Sequence, residues 1–265
     1  MSTVAPKRTD PDQGNDLAHD SVALGRRKLV RVLTPPGGCS ESTPCLILLH
    51  PFAGNRTSWL RHAPELLASL SRDTLVAMPE CGRRWFIDDH AGVRYESYVV
   101  DDLLPAVRAE FGVTGRFAVG GFSAGGAAAF FLALRHPHVF SAALAAAGAF
   151  TAANRTGDPY RDVRTDDLMI PSEAEHDRVW GPPGSETRAT YDPERLVGSG
   201  DGHPRPRFVF DVGNDDFPRM IAASEGMADL LKAAALPFAY SRSAGDHTWN
   251  YAASAMARLV AEWRA

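Results

Sequence analysis

Short, unbroken apolar runs recur along the chain, each followed by a longer amphipathic stretch. The runs cover residues 45–50, 74–78, 117–120, 142–147, 208–212 and 238–241. Strands this short and this uniformly apolar are those covered on both faces, as in a parallel sheet sandwiched between helices. The stretches between them, at 57–70, 98–110, 124–135, 220–235 and 249–263, have helical length and composition. Repeated β-then-α alternation predicts an α/β fold with a doubly wound, mostly parallel sheet and helices on both faces. Ahead of it, residues 28–34 alternate polar and apolar side chains and stop at Pro35-Pro36-Gly37-Gly38, the pattern of an edge strand and its turn.

Two segments depart from this rhythm. Residues 1–20 are rich in Asp, Pro, Gly and Asn and poor in large apolar side chains, so burial cannot offset their ordering entropy; they are expected to form a disordered arm. More than fifty residues dense in Pro, Gly, Asp and Arg separate the run ending near Phe150 from the one starting at Phe208. That is too long for an ordinary loop, and a cap insertion with short helices over about 151–207 is expected, roofing the strand ends where open α/β sheets bind ligands. With no internal repeat, residues 21–265 read as a single domain.

Composition narrows the class. Of 265 residues, 45% are hydrophobic and 23% charged, the mixture of a globular protein. The formal charge of -4 gives no broad cationic face for nucleic acid or an anionic membrane. The N-terminus lacks the apolar core of a signal peptide, and no stretch offers about 18 uninterrupted apolar residues, so no membrane span and a cytoplasmic location are expected. Cys39, Cys45 and Cys81 lack the paired spacing of a zinc site or disulfide framework and read as free thiols.

The most informative residues are Gly120-Gly121-Phe122-Ser123-Ala124-Gly125-Gly126, a Gly-x-Ser-x-Gly sequence between an expected strand and an expected helix. At such a turn the Ser backbone is strained, and the residues two before and two after must lack bulk so that strand and helix can pass closely. A serine hydroxyl is a weak nucleophile near neutral pH and needs a base, itself held by a carboxylate; in this arrangement the acid and then the base follow the serine along the chain. Among nine His residues, His247 follows the last expected strand and precedes the last helix. His136 and His138 end the helix behind the serine, and His203 sits in the cap. For the acid, the run 208–212 leads into Gly213-Asn214-Asp215-Asp216-Phe217, where Asp215 and Asp216 compete; Asp211, inside the strand, is the third candidate and reads as structural. An oxyanion would take its donors from the backbone N–H of Ala124 and from the loop after residue 50, where Pro51 has no N–H and Phe52 does. Phe130, Phe131 and Leu134 read as core packing.

Several stretches together carry a family resemblance: 48–59 (LLHPFAGNRTSW), Met78-Pro79 with Trp85 and Asp88, the Ser123 turn, Val179-Trp180-Gly181, Tyr191-Asp192-Pro193, 213–217 and 240–249 (YSRSAGDHTW). From about residue 28 onward the chain resembles the esterase D-type α/β-hydrolases, which include tributyrin-type esterases, S-formylglutathione hydrolases, feruloyl esterases and mycolyltransferases. The resemblance is closest to the small tributyrin-type carboxylesterases. It implies the α/β-hydrolase fold, selects Asp216 over Asp215 as the acid, places the base at His247, and places the oxyanion donors at Phe52 and Ala124. Pro51 stands where relatives usually have Gly, and Ala124 where they often have Met.

The expected chemistry is cleavage of a carboxylic ester or thioester, a small molecule, through an acyl-enzyme on Ser123, with no cofactor or metal implied. Two other readings share the sequence: an acyltransferase or thioesterase using the same residues, with Trp180, Tyr160 and Tyr191 of the cap excluding water, and a catalytically silent binding module. Trp249 and Trp180 are the expected pocket residues, although Trp249 reads equally as packing. A homo-oligomer is compatible with all three readings.

Overall fold

A computed structural model of the chain describes residues 15–155, 170–198 and 204–265. Among the described residues, eight strands form one sheet: β1 Asn15–Ser21, β2 Arg26–Leu33, β3 Cys45–Leu49, β4 Leu75–Met78, β5 Phe117–Phe122, β6 Phe140–Ala146, β7 Arg207–Gly213 and β8 Phe238–Ser243. Their spatial order is β1-β2-β4-β3-β5-β6-β7-β8. The pairs β1/β2 and β2/β4 are antiparallel, and all pairs from β4 to β8 are parallel. Every residue of β3, β4 and β5 is buried, as unbroken apolar runs require.

The expected edge strand is real but does not lie at the edge. β1 pairs along its whole length with β2, and Ser21 Oγ donates to Asp102 Oδ2 at 2.6 Å. The expected disordered arm does not include residues 15–20, which are held by backbone bonding to a neighbour and not by burial of their own side chains; residues 1–14 lie outside the described residues.

The helices are α1 Ser58–His62, α2 Pro64–Leu70, α3 Tyr95–Ser97, α4 Leu104–Phe111, α5 Ala124–Arg135, α6 Glu173–Trp180, α7 Glu186–Thr190, α8 Pro193–Gly198, α9 Pro218–Ala233 and α10 Trp249–Arg264. The single helix expected over 57–70 is broken at Ala63 (φ -142°, ψ 50°), because the residue before a proline is pushed out of the helical region. A π-helical stretch, Tyr98–Leu103, joins α3 to α4 just before Pro105, which has no N–H for the helical ladder. β6 is covered by α5 and by α10. Its alanines keep the sheet surface low enough for both to seat closely. Phe130, Phe131 and Leu134 of α5 are all core residues.

The inserted segment contributes a short 3-10 turn, Ala152–Asn154, and then α6, α7 and α8. It is pinned to the body at Glu96, where the Tyr191 hydroxyl donates to the carboxylate and accepts from the Asp88 N–H at 2.8 Å. Burial alone would raise the Glu96 carboxyl, but His136, Arg135 and Tyr191 outweigh it and hold it below its ordinary value. No described helix is long and apolar enough to cross a membrane.

One close approach fixes the centre of the molecule. A Cβ on Gly121 would stand 2.4 Å from the Gly125 carbonyl carbon, and one on Gly125 would stand 2.6 Å from the carbonyl oxygens of both Leu49 and His50. These obstacles are backbone and cannot swing aside. Gly125→Ala is therefore expected to lower the unfolding free energy by about 3 kcal/mol, whereas Gly115→Ala, where a Cβ meets nothing within 4 Å, should stay within about 0.5 kcal/mol of the parent. Urea denaturation of the two variants checks the contrast.

Candidate active site

The C-terminal ends of β3, β5, β7 and β8 converge on one cavity. Ser123 follows β5 with φ 55° and ψ -115°, a conformation unfavourable for any residue with a side chain, and opens α5. Its N–H donates to Ala146 O at 3.0 Å, and its carbonyl accepts from Ala127 and Ala149 at 3.0 and 3.1 Å. The turn is thus tied to β6 and to the first turn of α5.

Asp216 follows β7 and His247 follows β8. His247 Nε2 lies 2.9 Å from Ser123 Oγ, and its Nδ1 lies 3.0 Å from each carboxylate oxygen of Asp216. The Asp216 side chain is fully buried and also accepts the Phe217 N–H at 2.7 Å. The His247 side chain keeps 18% of its surface exposed and lines the cavity. Asp215 is exposed and Asp211 is buried elsewhere; the structure brings only Asp216 to the imidazole. His136 instead binds Glu96. Tyr160 and His203 lie outside the described residues.

Phe52 and Ala124 both line the cavity beside Ser123. Ala124 is the first residue of α5, so its N–H has no acceptor within the helix. The orientation of the Phe52 N–H follows from how the Pro51 carbonyl is held, by the Gly54 N–H at 3.0 Å and by His50, which in the sequence is only the last residue of an apolar run. Cys81 N–H donates to His50 Nε2 at 3.0 Å, which leaves Nδ1 carrying the ring proton and donating to Pro51 O at 2.7 Å. In a trans peptide the C=O and the following N–H point in opposite directions, so holding the Pro51 carbonyl back turns the Phe52 N–H away from His50. Burial pushes the His50 pKa down to about 4, which keeps the ring neutral and this bonding pattern intact.

The cavity measures about 390 Å³ and has a mainly aromatic and aliphatic wall: Phe52, Trp85, Phe122, Phe217, Met220 and Trp249. Trp249 is held edge-on by Trp59 and stacked by His62, at 5.1 and 4.6 Å between ring centroids. Trp180 is not on the wall. It is fully buried and packs edge-on against Trp85, which takes the wall position that Trp180 was expected to hold. Ile170 and Pro171, from the inserted segment, close one side. Arg83 secures them: its guanidinium bonds both Glu175 oxygens at 2.5 and 2.8 Å, donates to Ile170 O, and lies 4.8 Å from the Phe52 ring centroid. The arginine pulls the Glu175 carboxyl down to about 2. Among the described residues, no group of His, Cys, Asp and Glu is gathered that could hold a metal ion.

Residues 21–262 match the family described as "Putative esterase". The chain belongs to that esterase family. An acetyl esterase of Caldicellulosiruptor saccharolyticus is 25% identical over 218 residues, 80% of each chain. The fold of this esterase-family chain is that of FphF, a fluorophosphonate-binding serine hydrolase of Staphylococcus aureus (TM-score 0.77, 19% identity, 94% of this chain and 96% of that one). It is likewise that of the S-formylglutathione hydrolase FrmB of Staphylococcus aureus (TM-score 0.73, 20% identity, 94% and 97%). The expected α/β-hydrolase fold and family membership therefore both hold.

The His50 ring has a consequence for stability. An unfolded chain takes up a proton on this histidine as pH falls through 6.5, whereas the folded ring does so only near 4. Stability is thus complete above 6.5 and is lost as pH falls across that window, by roughly 3 kcal/mol for a shift of this size. The pH 7 to pH 4.5 drop in unfolding free energy, measured by urea titration, should be smaller in His50→Asn than in the parent. Equal drops would contradict the neutral-ring assignment.

Proposed function

We propose that the protein hydrolyses carboxylic esters through an acyl-enzyme on Ser123, with His247 as general base and acid and Asp216 as its orienting carboxylate. The observation that carries this reading is the continuous hydrogen-bonded path from Ser123 Oγ through both ring nitrogens of His247 to the buried Asp216.

In the first half-reaction Ser123 Oγ attacks the ester carbonyl while its proton passes to His247 Nε2. The carboxylate of Asp216 holds the Nδ1–H tautomer and stabilises the resulting imidazolium. Negative charge collects on the former carbonyl oxygen, where the N–H groups of Phe52 and Ala124 act as donors. Collapse of the tetrahedral intermediate breaks the bond to the alcohol, which leaves with the proton from His247. Water then gives its proton to the same nitrogen, attacks the acyl carbon, and frees the acid and the Ser123 hydroxyl.

The cavity volume and its aromatic wall suit a short acyl chain, in keeping with the name of the acetyl esterase relative. The backbone donors need no metal or nucleotide to stabilise the developing charge.

Ser123→Ala should reduce hydrolysis of p-nitrophenyl acetate by about a thousandfold or more, because the wall and the backbone donors alone supply only residual catalysis. A fluorophosphonate probe should add its phosphonyl mass to Ser123 in the parent and not in Ser123→Ala, as read by peptide mass spectrometry. Undiminished turnover in the variant, or a parent inert to both reagents, would end this reading.

A further inference from the structure

Five residues, 244–248, connect the end of β8 to the start of α10, and His247 is the fourth of them. So short a connection has little shape of its own. Its geometry depends on how its two ends are held.

Both ends are held by a buried carboxylate that the proposed chemistry does not use. Asp211, on β7, is 1% exposed. Its Oδ2 accepts from Ser241 Oγ at 2.6 Å; its Oδ1 accepts from Ser243 Oγ at 2.7 Å, the Tyr251 hydroxyl at 2.6 Å and Arg258 Nη2 at 3.4 Å. Ser241 and Ser243 lie on β8, just before the connection. Tyr251 lies in the first turn of α10, just after it, and Arg258 about two turns further along the same helix. A carboxylate away from water is tolerated only when its lone pairs are filled and its charge is answered, and these donors do both. Burial first, and the Asp211 bond next, push the Tyr251 phenol above its ordinary range, so it remains a protonated donor.

The middle of the connection rests on the same assembly. A Cβ on Gly245 would stand 2.9 Å from the Tyr251 ring, and one on Gly213 would stand 2.2 Å from the Gly245 carbonyl oxygen. Asn214 and Asp215 donate their N–H groups to Ser243 O and Gly245 O at 2.8 and 3.0 Å. The turn carrying Asp216 and the turn carrying His247 are therefore laced together immediately above Asp211.

We infer that Asp211 is a positioning residue for His247: by gripping both ends of the 244–248 connection, it holds the imidazole in register with Ser123 Oγ and Asp216 at once. The inference rests on the hydrolase reading above. It predicts a defect in rate, because a base displaced by a fraction of an ångström still leaves the cavity wall able to bind substrate.

The test compares Asp211→Asn and Tyr251→Phe with Ile47→Val, a β3 core substitution away from the connection, all assayed well below their unfolding temperatures. Asp211→Asn should lower kcat for p-nitrophenyl acetate by about ten- to a hundredfold with KM within about twofold, and slow fluorophosphonate labelling of Ser123 by a similar factor while labelling still runs to completion. The downfield proton resonance of the His247–Asp216 bond should weaken or move. Tyr251→Phe keeps the ring against Gly245 and removes only the hydroxyl; the same changes, smaller, are expected, and this variant decides the matter if Asp211→Asn does not fold. Variants that lose heat stability but keep the parent's kcat, labelling rate and resonance, as Ile47→Val should, would overturn the inference. A parent whose Ser123 reacts with neither reagent overturns the hydrolase reading instead, and the resonance alone then judges the role of Asp211.

Discussion

The backbones of β3, β5 and the first turn of α5 touch with no side chain between them, and this contact determines where the Ser123 hydroxyl stands. Gly121 and Gly125 face each other and the carbonyls that end β3, so the chain leaves β5, reverses and enters α5 within a single residue. The positive φ of Ser123 is the conformational cost of that reversal. It is sustained because the serine's N–H and C=O are bonded to β6, to α5 and to the turn after β6, which are themselves core elements. A looser approach would relax the turn and draw the hydroxyl away from the imidazole.

Around this centre the protein buries polar groups in three ways, each of which limits the electrostatic cost. His50 is kept neutral and uses both ring nitrogens, one as acceptor and one as donor. Glu96 stays charged because Arg135 and His136 answer it on one oxygen and Tyr191 on the other. Asp211 is met by hydroxyls from two neighbouring elements and by a guanidinium at longer range. Each cluster joins segments distant in sequence: the loop after β3 to that after β4, the helix behind Ser123 to the inserted segment, and β7 to β8 and α10. Satisfied polar groups of this kind specify one packing where an apolar contact would tolerate several.

Much of this was legible in the chain, and what was not had physical reasons. The parallel strands stood out because an element covered on both faces has no polar alternation to obscure it. β1 escaped because its residues, with Leu17 as their only large aliphatic side chain, draw their order from the backbone of β2, which composition does not register. The pattern over 57–70 runs straight through Pro64, whose effect on Ala63 breaks the helix in two. Ser123 and His247 could be singled out since each follows a strand in a fixed chain order; that order left Asp215 and Asp216 competing and only the family resemblance selected Asp216, and the structure brings the three side chains together. His50 could not: at the end of an apolar run it resembles a strand terminus, and only the partners of its two nitrogens disclose what it holds. Trp180 and Trp85 are equally aromatic in sequence, and which of them faces the cavity depends on the packing of α6 against the body.

The roof and the wall of the cavity share a fastening. One guanidinium, that of Arg83, lies over the Phe52 ring while bonding Glu175 at the start of α6 and the carbonyl of Ile170. Displacing Ile170 and the start of α6 would therefore pull on this arginine and on the Phe52 ring beneath it. If Phe52 serves as proposed, the size of the guest and the steadiness of the charge-stabilising peptide would thus answer to a single side chain.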